Sequence, residues 1–119
     1  MQIKDAWLKK MGNERRSQER VKLILEARWE GLAGKHEARL SDLSLGGCFI
    51  ESVGQVSLHE RVRFEIQMPW GRWLPLQGEV VYCQPHFGFA IRLTELSDMQ
   101  RRQFNALFAY AKVAAPKSI

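Results

Sequence analysis

The chain has 119 residues, with 18 Lys and Arg against 13 Asp and Glu, a formal net charge of +5. That length fits one domain, and a 45% hydrophobic, 26% charged composition belongs to a chain that builds its own core, which excludes wholesale disorder. No run reaches the ~18 apolar residues of a membrane helix, the opening residues hold no secretory apolar stretch, and two cysteines without CxxC spacing exclude a disulfide framework or a zinc ribbon, so the expectation is a soluble cytoplasmic domain.

The first twenty residues carry six basic and three acidic side chains, a net +3 that is most of the charge of the chain. A basic arm over residues 1–15 ahead of a nearly neutral body suits an anionic partner such as nucleic acid, a nucleotide or a membrane surface. Within it Ile3, Trp7 and Met11 share a helical face, but the segment is too short to hold a helix without a surface to dock on. From Arg20 the apolar period becomes two: Val21, Leu23, Leu25, Ala27 and Trp29 alternate with Lys22, Glu26, Arg28 and Glu30, which predicts a half-buried strand. Gly31 to Gly34 is a turn signal, and Ala38 and Leu40 against Lys35, Glu37 and Arg39 predict a second strand. Cys48-Phe49-Ile50 predicts a short third strand after the Gly46-Gly47 break. Val62, Phe64, Ile66 and Met68 alternate with charged or polar residues as a fourth, and Pro69-Trp70-Gly71-Arg72 reads as a hairpin tip. A fifth strand is expected over about Trp73 to Tyr82, and a sixth with Phe87, Phe89, Ile91 and Leu93 on one face.

The period then changes to that of a helix. Ser97 with Gln100 three residues on is a capping-box pattern, and Phe104, Leu107, Phe108 and Ala111 follow at i, i+3, i+4, i+7. Six strands and a closing helix without βαβ alternation predict an all-β fold: a six-stranded antiparallel barrel over residues 16–113, its C-terminal helix plugging one end, and a tail at 114–119. Trp70 and Trp73 at the hairpin tip are expected to cover the barrel rim or touch the helix, the alternative being an exposed docking patch.

Catalytic patterns do not emerge. His36, His59 and His86 have no metal-ligand spacing, Cys48 and Cys83 sit in apolar strand contexts, and no GxSxG, HExxH or Walker pattern occurs, so neither an enzyme nor a cofactor is expected. Two other motifs stand out. One is Arg16-Ser17-Gln18-Glu19-Arg20, immediately before the first strand. The other is Asp42-Leu43-Ser44-Leu45-Gly46-Gly47, at the junction of the second and third strands. With 11 arginines, chance supplies about one pair at spacing four, whereas the second pattern is expected only ~0.02 times per chain.

Together these motifs resemble the PilZ domain family, bacterial receptors for cyclic di-GMP, whose signature is RxxxR followed by [DN]xSxxG. The resemblance spans residues 14–112 and includes the order of elements. It implies a non-catalytic receptor whose ligand meets Arg15, Arg16, Arg20, Asp42, Ser44, Gly46 and Gly47. The residue types suit that ligand, which has two phosphates and two guanines. A guanidinium bonds a phosphate bidentately, bonds guanine O6 and N7, or stacks on the base, and a carboxylate accepts from guanine N1–H and N2–H. Ser44 adds a hydroxyl, and Gly46-Gly47 lets backbone approach a flat ring or take a positive φ. The resemblance further implies, from the doubled arginine at 15 and 16, capture of a stacked ligand dimer, and a switch in which the arm closes over the ligand and signals to a protein target. Because the arm lies outside the barrel core, losing Arg16 or Arg20 is expected to leave the stability of the free protein unchanged. Two alternatives stay open: a basic barrel stacking single-stranded nucleic acid on Trp29, Trp70 and Trp73, whose binding would depend steeply on salt, and a PilZ-like protein adaptor without ligand, which the intact motifs argue against.

Overall fold

The computed structural model describes residues 19–114. Six strands, β1 (Val21–Gly31), β2 (Gly34–Ser44), β3 (Gly47–Glu51), β4 (Arg61–Gln67), β5 (Trp73–Gln84) and β6 (Gly88–Leu93), precede helix α1 (Asp98–Ala114). All pairings are antiparallel and the sheet closes on itself in the order β1-β2-β3-β6-β5-β4. This is the barrel and closing helix that the change of hydrophobic period predicts.

Alternation decides what faces inward. Val62, Phe64 and Ile66 of β4 are buried while Arg61 and Arg63 point out, and Ala27 and Trp29 of β1 are buried between exposed Glu26, Arg28 and Glu30. The Trp29 indole N–H, deep in the barrel, donates to Ser52 Oγ at 3.0 Å, and its ring stacks on His36 with centroids 4.4 Å apart. The first hairpin turns through Gly34 at φ +110°, a left-handed conformation that a side chain would strain. Gly78 is required for a different reason: a Cβ there would collide with the Arg92 carbonyl and Ile91.

On the outer wall, cross-strand register lays out alternating charge. Glu37, Arg28 and Glu65 form one row across β2, β1 and β4, and Lys35, Glu30 and Arg63 form the next. Arg28 Nε reaches Glu65 at 2.9 Å and Lys35 Nζ reaches Glu30 at 3.7 Å, so opposite charges pair across neighbouring strands in both rows.

The helix begins with the reciprocal bonds of a capping box: the Gln100 amide N–H donates to Ser97 Oγ at 3.1 Å, and the Ser97 amide donates to Gln100 Oε1 at 2.8 Å. Phe104, Leu107, Phe108 and Ala111 are buried in the same core as the inward residues of the strands. Trp70, half exposed, meets Tyr110 edge-on at 6.0 Å, which is the helix contact expected for the hairpin tip, and Trp73 lies under the Arg28 guanidinium at 3.8 Å.

Three details differ from the sequence reading. Phe87 precedes β6 instead of lining its inner face; it is 40% exposed and tilts against Phe49 at 5.7 Å on the outside. β5 runs on to Gln84, beyond Tyr82. Asp42 and Ser44 lie inside β2 and not in the β2–β3 connection, because the connection is only the two-residue turn Leu45-Gly46. The proposed dock for Ile3, Trp7 and Met11 lies outside the described residues.

Since the helix seals the core with one fully buried ring, Phe104→Ala should lower unfolding free energy by about 3–5 kcal/mol. Urea denaturation followed by circular dichroism measures this, and a loss below 1 kcal/mol would mean that the helix is not part of the cooperative core.

Candidate functional site

One end of the barrel gathers the residues singled out in the sequence. β1 begins there at Val21, paired with Leu43, while Lys22 pairs with Asp42. This register sets Arg20, the residue ahead of β1, beside β2: Arg20 Nε stands 3.9 Å from Asp42 Oδ1. The register of β2 against β3 shifts between Leu40 and Asp42, and Ser41 is the extra residue. The bulge breaks the in–out alternation, so that Leu40 to Ser44 are all buried.

Asp42 is thereby taken out of solvent as a carboxylate inside a wall of strands, with 1% of its side chain exposed. A buried charge is tolerated when it is paired and hydrogen-bonded. Here Arg20 supplies the cation and Ser41 Oγ donates to Asp42 Oδ2 at 3.2 Å. Ser41 was not singled out from the sequence; its signal is the unusual run Ser41-Asp42, polar where an apolar strand face is due.

Beyond Asp42 the chain reverses through Leu45-Gly46, with Ser44 paired to Gly47. Ser44 Oγ is buried and donates to the Gly47 carbonyl at 3.5 Å, a long bond. The Gly46 carbonyl accepts from the Leu93 amide at 2.9 Å, tying the turn to the end of β6. The positive-φ glycines among the described residues are Gly34 and Gly71, so Gly46 and Gly47 do not form a left-handed turn. The Arg101 side chain reaches over from the helix, Nη1 donating to the Leu45 carbonyl at 3.0 Å.

The structure thus brings together Arg20, Asp42, Ser44, Gly46 and Gly47, whereas Arg15 and Arg16 lie outside the described residues. The sequence reading set Arg20 apart from the barrel core, whereas the structure places it 3.9 Å from the buried Asp42 carboxylate. Trp29, only 2% exposed, is no stacking platform. A concavity of about 750 Å³ lies elsewhere, lined on the outer wall by Arg28, Glu37, Arg63, Glu65 and Gln77 among others.

Other reactive groups are scattered. His59 Nδ1–H donates to Glu79 at 2.7 Å, His36 is stacked inside the barrel, and His86 sits at the β5–β6 tip. Hydrogen bonding from His59 is the foremost cause holding the Glu79 carboxyl below its usual range, with Arg92 adding to it. Among the described residues no three His, Cys, Asp or Glu side chains are placed to share a metal ion, and no helix is long and apolar enough to cross a membrane. Burial pushes the Cys48 thiol far above its ordinary range, and burial followed by the Glu60 charge pushes Cys83 up as well.

The sequence model of the PilZ domain matches residues 14–110. No curated protein sequence matches the chain. Among solved structures, the PilZ domain with c-di-GMP of YcgR from Escherichia coli superposes with a TM-score of 0.69 at 18% identity, covering 84% of this chain and 93% of that one. The Bacillus subtilis inhibitor of motility (MotI/DgrA) gives 0.65 at 17% identity over 85% of this chain, which spans about half (51%) of that protein. The PilZ domain of CeSA from a cellulose-synthesizing bacterium gives 0.61 at 18% identity, covering 77% of this chain and 97% of that domain. At these identities the structural likeness establishes the barrel and helix, while the family rests on the sequence match.

The thiols give a direct check on the interior of the barrel. At pH 8 a thiol reagent should leave Cys48 unmodified in the folded protein and modify Cys83 slowly, with both reacting at once in denaturant. Mass spectrometry of the quenched reaction reads the order, and prompt labelling of Cys48 would show that the barrel opens there.

Proposed function

This chain belongs to the PilZ domain family, and from that we propose that it is a non-catalytic receptor for cyclic di-GMP, acting in the bacterial cytoplasm through a protein partner. The observation that carries this reading is the meeting of Arg20 with Asp42 and the Ser44–Gly47 turn at one barrel end. The relative that holds c-di-GMP has the same fold, which supports this choice of ligand.

In the proposed mechanism the ligand settles against the Asp42–Gly47 surface and Arg16 and Arg20 close over it. Guanidinium groups take the phosphates or cover the guanine faces. The Asp42 carboxylate, now shared with Arg20 and Ser41, accepts from the guanine N1–H and N2–H edge. Exchanging Arg20 between Asp42 and a phosphate keeps every buried charge compensated, so the receptor does not strand a carboxylate when the ligand enters. Ordering the linker costs roughly 1–2 kcal/mol per residue, and several charge-assisted bonds must offset that before the closed state fills. Closure carries the Ile3, Trp7 and Met11 segment with it and so changes the surface offered to the partner.

Isothermal titration calorimetry with cyclic di-GMP tests the reading. Arg16→Ala and Arg20→Ala should each weaken binding by about 1.5–3 kcal/mol, the scale of a hydrogen bond to a charged group. Arg20→Ala should also lower the melting temperature of the ligand-free protein, since it removes the cation beside Asp42. Parent-like affinity in either variant would refute the site.

Stoichiometry is the second readout. Arg15 beside Arg16 fits the four phosphate charges of a stacked ligand dimer. Two equivalents per chain are expected in the parent and one in Arg15→Ala. Saturation at one equivalent in both would rule the dimer out.

A further inference from the structure

The turn Leu45-Gly46 joins the two motif strands with only two residues, so its central peptide, Leu45 C=O with Gly46 N–H, is the one that can flip without disturbing either strand. In the structure one bond fixes it from outside the sheet: Arg101, in the first turn of the helix, donates through Nη1 to the Leu45 carbonyl at 3.0 Å. In a trans peptide the C=O and N–H point opposite ways. Holding the carbonyl to the helix therefore turns the Gly46 N–H to the other side. The next carbonyl, Gly46, is likewise held, by the Leu93 amide at 2.9 Å. Arg101 is 56 residues from its acceptor, and nothing in its helical setting requires the contact: the neighbouring Gln100 anchors the same helix turn to the Pro75 carbonyl at 2.8 Å, on a different strand.

We infer that Arg101 is a positioning residue of the cyclic dinucleotide site, locking the central peptide of the Leu45-Gly46 turn in the orientation that ligand binding needs. The inference rests on the cyclic di-GMP reading of this site and extends it to the C-terminal helix. Arg101 does this with one of its five donors, so a single-point cation of similar reach, lysine, should do part of the work. A variant that loosens the helix without touching the turn should not.

The experiment compares Arg101→Ala, Arg101→Lys and Gln100→Ala by calorimetry with cyclic di-GMP, by thermal melting, and by amide exchange in the absence of ligand. Arg101→Ala should bind about tenfold more weakly or worse and show faster exchange and a shifted resonance at Gly46, with Arg101→Lys recovering part of both. Gln100→Ala, which loses a capping bond and the Pro75 anchor, should melt at lower temperature yet keep its affinity within about twofold. Parent-like affinity in Arg101→Ala, or an equal loss in Gln100→Ala, would overturn the inference, the second by showing that only helix stability matters. Should the parent itself not bind cyclic di-GMP, the functional reading falls, and the positioning role is then decided by the Gly46 amide alone: an unchanged resonance and exchange rate in Arg101→Ala would overturn it.

Discussion

Closure of the sheet between its first and fourth strands is the constraint on which the rest of the molecule depends. β1 is paired with β2 along nearly its whole length, but with β4 only at Ala27, Arg28, Trp29 and Glu30. Four residue pairs remove the open edges that a six-stranded sheet would otherwise present to other chains. They leave Val21 to Glu26 without a β4 partner among the described residues, and the gap falls at the end where the apolar face of the helix enters the core. The helix packs on β1, which borders that gap, and on β5, the next strand beyond β4. The incomplete seam leaves core side chains to be covered from outside the sheet, and Phe104, Leu107, Phe108 and Ala111 of the helix join that core. The same helix brings Arg101 to the motif turn, where it bonds the Leu45 carbonyl.

In the proposed receptor, a carboxylate at that end makes stability and recognition draw on the same contacts. A buried Asp is tolerable only with a cation and donors close by, and Arg20 and Ser41 provide them. The residue that neutralises the core in the free protein is also one with the chemistry to grip a phosphate. A ligand with both anionic and hydrogen-bond-donating faces can enter such a site without leaving an uncompensated charge, whereas a purely anionic one would take the cation and strand the carboxylate.

Much of this was legible in the sequence because most of the strands keep strict alternation. Val62–Met68 and Val21–Trp29 declare their inner faces outright, and Ser97 with Gln100 marks the helix start to the residue. The motifs located Asp42, Ser44 and the turn. What escaped depends on contacts between distant segments. The bulge at Ser41 is visible only once β2 and β3 are aligned, and the need for Gly78 follows from the approach of the Arg92 backbone. Phe87 fits the period of β6 but sits one residue outside it, where the β5–β6 tip takes over. Nothing in the helix period marks Arg101, because its acceptor is a carbonyl 56 residues away in the chain.

The alternating rows on the barrel wall have a consequence for how the protein meets a charged molecule in solution. Opposite charges on neighbouring strands, such as Glu37, Arg28 and Glu65, form small multipoles whose fields decay within roughly a Debye length of ~8–10 Å. Seen from farther out the wall is nearly neutral. Residues 21–119 carry twelve basic and ten acidic side chains, against the net +3 of the first twenty. An anion diffusing toward the molecule is therefore drawn to the stretch of chain that leads into β1, not to the sides of the barrel. Steering of this kind raises the rate of encounter at one pole and weakens with added salt, while the affinity of the closed complex, set by short desolvated contacts, depends on salt far less.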